Sequence, residues 1–232
     1  MTIKKIGQTF STVALIPARG GSKGVPEKNM QEILGKTLVR MAIESAQESK
    51  VFDEIWVSSD DDTTLQHSLT LGARAHLRSA AASSDVATAN DAVFDFLNSE
   101  TKSPLTTLCY LQPTSPLRTG ESIRASIELH RARNFSPVIG VKYATELPEK
   151  LFIRLKNGTL RSFLSGKTQN TNRQEAPEYL YPNGSIYVFR IQDFNAADGF
   201  PLTSAVPLLM NQLESLDIDT NEDLVFARKL MQ

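Results

Sequence analysis

A chain of 232 residues, 41% hydrophobic and 22% charged, can bury one sizeable core, and 25 basic against 26 acidic residues leave a formal net charge of −1. That balance excludes a broad basic surface of the kind that binds nucleic acid, so any positive charge with a function must be local. The single cysteine, Cys109, excludes an internal disulfide framework, and no stretch approaches the ~20 apolar residues of a membrane span. The N-terminal residues lack the apolar segment of a signal peptide, and with one cysteine in an apolar run the expected location is a reducing cytoplasm.

In chain order, Val13–Ile16 is a short apolar, β-branched run, the pattern of a strand covered on both faces in a parallel sheet. It runs directly into Ala18-Arg-Gly-Gly-Ser-Lys-Gly-Val-Pro-Glu-Lys-Asn29. Gly20, Gly21 and Gly24 tolerate φ > 0 and let backbone N–H groups approach an anion, while Arg19, Lys23 and Lys28 add charge-assisted donors. Polyphosphate fits such a loop. The spacing is neither the Walker pattern nor the dinucleotide Gly-x-Gly-x-x-Gly, and an ordinary basic, Gly-rich βα loop would read the same way.

Further strand-like runs at Glu54–Ser59, Ala73–Leu77, Thr106–Leu111 and Pro137–Val141 alternate with helical patterns. Those patterns are carried by Leu38, Met41, Ala42 and Ala46, by Ala89, Val93, Phe96 and Leu97, and by Ile123, Ile127 and His130. Repeated β-α units predict an α/β fold with a mostly parallel sheet and helices on both faces. Ligands of such sheets bind at the carboxyl ends of the strands, where the polar clusters Arg19–Asn29, Ser58–Asp62 and Gln112–Arg118 all lie. They are expected on one rim.

The rhythm changes after Val141. Two segments of period two flank Asn157-Gly158, a hairpin signal, and the apolar face of Leu151, Ile153 and Leu155 needs cover that a two-stranded ribbon cannot supply. Residues 1–232 therefore read as a single domain, with 143–182 as a β-rich excursion that a partner subunit could cover. Ser185–Arg190 and Leu213–Ile218 are candidate strands, and a helix is expected from about Asn221 to Leu230.

Leu213-Glu-Ser-Leu-Asp-Ile-Asp-Thr-Asn-Glu-Asp223 places Asp217 and Asp219 two apart, so on an extended strand both carboxylates share a face, about 7 Å apart at ~3.3 Å per residue. Like charges on one face invite a cation, and Mg²⁺ takes one or two carboxylates together with phosphate oxygens. The alternative for Asp219 and Thr220 is capping of the last helix, with Asp223 at the third position of a capping box. In Leu111-Gln-Pro-Thr-Ser-Pro-Leu-Arg118, two prolines stiffen a polar loop. Gln112 offers an amide donor and acceptor; Arg118 could pair with phosphate or carboxylate, or belong to the capping neighbourhood of the helix near Thr119.

Ala18–Asn29, Val57-Ser-Ser-Asp60, Ser84-Asp85, Leu111–Arg118, Pro182-Asn-Gly184 and Asp217-Ile-Asp219 run in order along nearly the whole chain, which resembles the bacterial acylneuraminate cytidylyltransferases, the CMP-sialic acid synthetases. The resemblance implies a Rossmann-like nucleotidyltransferase fold, a homodimer whose β-rich excursion joins the interface and the neighbour's sugar site, and a Mg²⁺-dependent reaction. CTP and a nonulosonic acid would give the CMP-sugar and pyrophosphate. It assigns the nucleotide to Arg19, Gly20, Ser22, Lys23, Lys28, Asn29, Arg78 and Ser84, and the metal to Asp217 and Asp219. The sugar falls to Gln112, Arg118, Arg173, Tyr181 and Asn183. Arg19, Lys23 and Asp217 form the expected catalytic set, around in-line attack of the sugar's C2 hydroxyl on the α-phosphorus. The base is either a metal-bound hydroxide or Asp217.

At Tyr181 this chain departs from several sialic acid members, which carry arginine there; loss of that cation points to a sugar with a less polar tail, such as legionaminic acid. Two other enzymes share parts of the pattern. A 3-deoxy-manno-octulosonate cytidylyltransferase has a shorter first loop and lacks the Gln-Pro-Thr-Ser-Pro-Leu-Arg segment, and a nucleotide-sugar glycosyltransferase would bind a diphosphate, which explains three cations less well than a triphosphate does. A non-catalytic nucleotide-binding regulator is a third reading. His67, His76 and His130 carry no role in the sequence.

Overall fold

The computed structural model describes residues 11–21, 24–100, 105–164, 177–195 and 197–232. In chain order the elements are β1 (Ser11–Pro17), β2 (Glu32–Ile33), β3 (Lys36–Thr37), α1 (Leu38–Ser49), β4 (Glu54–Ser59), α2 (Asp62–Thr70), β5 (Arg74–Leu77), α3 (Ala80–Ser83) and α4 (Ala89–Glu100). They continue with β6 (Leu105–Leu111), α5 (Gly120–Ala132), β7 (Val138–Tyr143), β8 (Phe152–Arg154), β9 (Leu160–Ser162), β10 (Leu180–Arg190), β11 (Val206–Leu209) and α6 (Asn221–Leu230). The central sheet runs β11-β7-β10-β6-β1-β4-β5. Its β1–β4, β1–β6, β4–β5 and β7–β11 ladders are parallel; β10 enters antiparallel between β6 and β7.

The apolar run of β1 does what a doubly covered strand must. Val13 and Leu15 face one core with Trp56, Leu108 and, from α4, Val93 and Phe96. Ala14 and Ile16 face the other, where Val39, Ala42 and Ala46 of α1 meet Ile123 and Ile127 of α5. Each side chain points to the face opposite its neighbour's, so the strand buries Thr12 to Ile16 on both sides and needs helices on both faces. Cys109 is a fully buried member of the second core, and burial pushes its thiol pKa up to about 12, so it is an inert packing residue. The helices start where their caps stand: Thr37 accepts from the Arg40 N–H, Asp61 from Thr63 and Thr64, and Thr119 from Ser122. Among the described residues no helix is long and apolar enough to cross a membrane.

Two expectations change. Leu213–Ile218 is not a strand: Asn211 Oδ1 accepts from the Glu214 N–H and the Asn211 carbonyl from Ser215, which curls 211–215 into a turn, and 216–219 joins no ladder. The edge strand is instead β11, which lies beside β7 and whose proline sits where edge strands tolerate one. The other change is that β10 begins at Leu180, five residues earlier than expected, and carries a register shift between Pro182 and Tyr187. That irregularity lifts Asn183-Gly184-Ser185 out of regular pairing at the rim of the sheet. The β8–β9 hairpin forms as the Asn-Gly signal predicts, with Gly158 at φ +84° and Leu155 and Thr159 closing the turn.

Candidate active site

The carboxyl ends of β1, β5 and β6 open on one cleft of about 230 Å³, and its lining brings together Arg19, Lys28, Asn29, Arg78, Gln112 and Asp219. Three cations face one carboxylate in this lining, so the net charge that the whole chain lacks is concentrated here. Each cation is held. Arg19 Nη1 donates to the Ser84 carbonyl at 3.2 Å, and Asn29 Nδ2 to the Arg19 carbonyl at 2.9 Å. Lys28 Nζ donates to the Ile218 carbonyl at 2.9 Å and to Asp219 Oδ1 at 3.1 Å. Arg78 donates from Nε and Nη2 to the hydroxyl and carbonyl of Ser58.

Two glycines of the loop, Gly20 and Gly24, serve space, and neither Gly20 nor Gly21 has a positive φ. A Cβ on Gly24 would come within 2.3 Å of the Asp219 carbonyl, and one on Gly20 within 2.9 Å of Asp61 Cβ. The first loop can therefore pack against the last acidic segment only because Gly24 has no side chain. The Gly20 N–H is already committed to Asp60 Oδ1 at 2.9 Å, so it contributes through shape and not as a free anion donor. Asp60 is a residue of this loop system that the sequence placed on the rim without a role.

Asp217 adjoins the cleft through Thr114 and Gly184. Its carboxylate accepts from the Thr114 side chain, and Oδ1 is buried with no hydrogen-bond partner among the described residues. Burial pushes its pKa up, and the negative charge of Asp219 adds to the shift. Ile218, between the two aspartates, is fully buried, and its N–H donates to the Thr114 carbonyl at 2.9 Å. The alternation expected of a strand therefore survives without a ladder partner. Asp219 is not an N-cap; Thr220 takes that position, with a full capping box to Asp223. A buried carboxylate oxygen without a partner, beside a second carboxylate, is a donor set that a hard divalent cation fits.

Two expected sugar contacts are turned inward. Arg118 is 3% exposed, and Nη1 donates to the carbonyls of Gln112 and Ser185, both at 2.9 Å. Among the described residues no carboxylate pairs with it, and burial lowers its pKa to about 10. Asn183, also 3% exposed, donates to Ser215 Oγ at 2.9 Å and accepts from the Ser185 N–H. Arg118 pins the loop after β6 to the irregular stretch of β10, and Asn183 ties that stretch to the turn at 211–215. Between them Gly184, at φ +78°, packs so closely that a Cβ would sit 2.9 Å from Gln112 Oε1 and 3.5 Å from Asp217 Oδ2. Tyr181 is 61% exposed, and the Lys142 ammonium stands 5.9 Å from its ring centre. Ser22, Lys23 and Arg173 lie outside the described residues. Thr114 went unread in the sequence, since a threonine between two prolines has no signal until its carbonyl and hydroxyl meet residues a hundred positions away.

Residues 13–232 match the family model described as Cytidylyltransferase. The chain belongs to the cytidylyltransferase family. Within it, this cytidylyltransferase chain is 32% identical over 224 residues to the CMP-N,N'-diacetyllegionaminic acid synthase of Legionella pneumophila subsp. pneumophila, covering 95% of this chain and 96% of that protein. It is 31% identical over 215 residues to an N-acylneuraminate cytidylyltransferase of Streptococcus agalactiae serotype V, covering 92% of this chain. It spans about half the length of that relative, 51%. The fold is that of a structure of CMP:2-keto-3-deoxy-manno-octonic acid synthetase complexed with CTP, with a TM-score of 0.69 and 18% identity over 95% of this chain and 98% of that one. A 4-diphosphocytidyl-2C-methyl-D-erythritol synthase from Anaerococcus prevotii DSM 20548 matches with a TM-score of 0.66 and 15% identity, covering 96% of each chain. The family is the one that the order of motifs pointed to, and the mixed sheet is a nucleotidyltransferase fold.

Proposed function

We propose that this cytidylyltransferase moves CMP from CTP to the anomeric C2 hydroxyl of a nine-carbon 2-keto sugar acid and releases pyrophosphate. The observation that carries the reading is the meeting of Arg19, Lys28 and Arg78 in one cleft with Gln112 at one end and the Asp217–Asp219 segment alongside. The hydroxyl oxygen attacks the α-phosphorus, the bond from that phosphorus to the pyrophosphate oxygen breaks, and the hydroxyl proton leaves to a base. Arg19 and Lys28 draw the triphosphate in and offset the charge that grows on the departing pyrophosphate. Lys23 and Ser22 complete the phosphate loop in this assignment, with Gly20 shaping it. Arg78 and the Ser84 segment border the cytosine. Gln112 orients the sugar, backed by Arg118 and Asn183, with Arg173 and Tyr181 on its tail side.

Asp217 and Asp219 would hold Mg²⁺, which when bound neutralises triphosphate charge and polarises the phosphoryl oxygens. On the protein side, burial raises the pKa of Asp217, and a cation held there would offset that shift and keep the carboxylate charged. The sugar is assigned to the legionaminate type on two grounds: Tyr181 in place of the arginine that several sialic acid members carry, and similarity to the Legionella pneumophila synthase over 95% of this chain and 96% of that protein. The active form is assigned as a homodimer in the cytoplasm, with 143–182 as the excursion that covers the neighbour.

Pyrophosphate release with CTP and Mg²⁺ tests this against N-acetylneuraminate, legionaminate, pseudaminate and 3-deoxy-manno-octulosonate. Turnover is expected with a nine-carbon acid, fastest with legionaminate. Preference for N-acetylneuraminate would remove the sugar assignment alone, and silence with all four would remove the reaction.

A further inference from the structure

Behind Arg78 lies a buried chain of hydrogen bonds that no part of the reaction uses. Ser58 on β4 and His76 on β5 are paired in register, and both are fully shielded from solvent. His76 Nδ1 is 2.9 Å from Ser58 Oγ, which is 3.0 Å from Arg78 Nε, and Arg78 Nη2 donates to the Ser58 carbonyl at 2.8 Å. On the far side, His76 Nε2 is 3.6 Å from Asp95 Oδ2, and the imidazole meets Phe96 edge-to-face with ring centres 5.4 Å apart.

Arginine only donates, so Ser58 Oγ accepts from Nε. The same hydroxyl meets Nδ1, as donor to the Nε2–H tautomer or as acceptor from the Nδ1–H tautomer, and either closes the chain. Two of the three guanidinium nitrogens are thereby committed, and Nη1 is what Arg78 offers to a ligand in the cleft. A free arginine side chain would lose much rotamer freedom on gripping a nucleotide; one held this way has lost it already.

We infer that His76 and Ser58 are positioning residues for nucleotide binding, acting through Arg78 without touching the ligand. The inference rests on the assignment of CTP to this cleft.

Calorimetric titration of the full chain with CTP tests it, because no sugar need be known. His76→Leu and Ser58→Ala are each expected to weaken CTP binding about tenfold, and His76→Asn, whose amide can replace Nδ1, to stay within about threefold of the original. The double variant His76→Leu/Ser58→Ala should lose no more than either single one, since both cut the same chain. Thermal midpoints should fall together in the two His76 variants, because each removes the ring from Phe96. Unchanged CTP affinity in His76→Leu and Ser58→Ala overturns the inference, as does a loss in His76→Asn equal to that in His76→Leu. If the unaltered chain does not bind CTP, the assignment of CTP to this cleft fails first and the inference with it.

Discussion

Lys28 and Asp219 are 191 residues apart in the chain and 3.1 Å apart in the fold, and the same ammonium reaches the Ile218 carbonyl. The pair joins the first basic loop to the last acidic segment at the mouth of the cleft. Asp219 is 73% exposed, so the ion pair contributes about 0–1 kcal/mol to stability. Lys28→Met is therefore expected to shift the thermal midpoint by no more than about 4 °C. Pyrophosphate release should fall about 100-fold, the scale of a lost electrostatic donor at a reacting phosphate. A large drop in midpoint with matching loss of activity would make Lys28 a structural tie.

Asp217 should be worth more to activity than to stability. Its folded pKa is raised, chiefly by burial. As pH rises, the unfolded chain ionises this carboxyl first, so its contribution turns against folding between the unfolded value, about 3.9, and the folded one, and stays unfavourable above it. Asp217→Asn is accordingly expected to raise the thermal midpoint at pH 7 and to leave it nearly unchanged at pH 3.5. Added Mg²⁺ should stabilise the original chain and not the variant, and turnover should fall at least about 100-fold. A midpoint difference independent of pH would mean that the carboxyl's ionisation is not what the fold resists.

What the sequence disclosed and what it hid divide along the range of the interaction. The strand at Glu54–Ser59 and the helix at Asn221–Leu230 have the bounds read from periodicity and caps alone, because both signals are local. The convergence of three polar clusters followed from a topological rule, which needs only the order of the elements. Arg118 and Asn183 turn inward, and nothing nearby in sequence says that their partners are the carbonyl of Ser185 and the hydroxyl of Ser215. Asp217-Ile-Asp219 alternates like a strand, yet Thr114 supplies one hydrogen bond where a strand would need a ladder. His76 carries no role in the sequence for the same reason: its partner Ser58 is adjacent only across the sheet.

Gly184→Ala and Gly35→Ala form a matched pair. Both glycines have positive φ, +78° and +74°, but a Cβ at Gly35 meets nothing within 4 Å, whereas one at Gly184 would press on Gln112 Oε1. Each substitution should cost about 1–2 kcal/mol from backbone strain, read by denaturant unfolding. Gly184→Ala should in addition raise KM for the sugar several-fold by displacing Gln112, with KM for CTP little changed. Equal sugar KM in the two variants would take Gln112 out of the sugar site.

The β8–β9 hairpin carries apolar side chains on both faces, and that bears on assembly. Register places Leu151, Ile153 and Phe163 on one side and Phe152 and Leu160 on the other, all exposed. A two-stranded ribbon with two greasy faces is poorly stable alone, and a homodimer would bury at least one of them. Ile153→Asp with Phe163→Asp places two charges on the first face while leaving the Asn157-Gly158 turn intact. Light scattering should then show the original chain at twice the monomer mass and the variant at the monomer mass, with CTP affinity retained and sugar turnover reduced. A monomeric original chain would rule out the dimer, and an unaltered dimer in this variant would move the interface to Phe152 and Leu160.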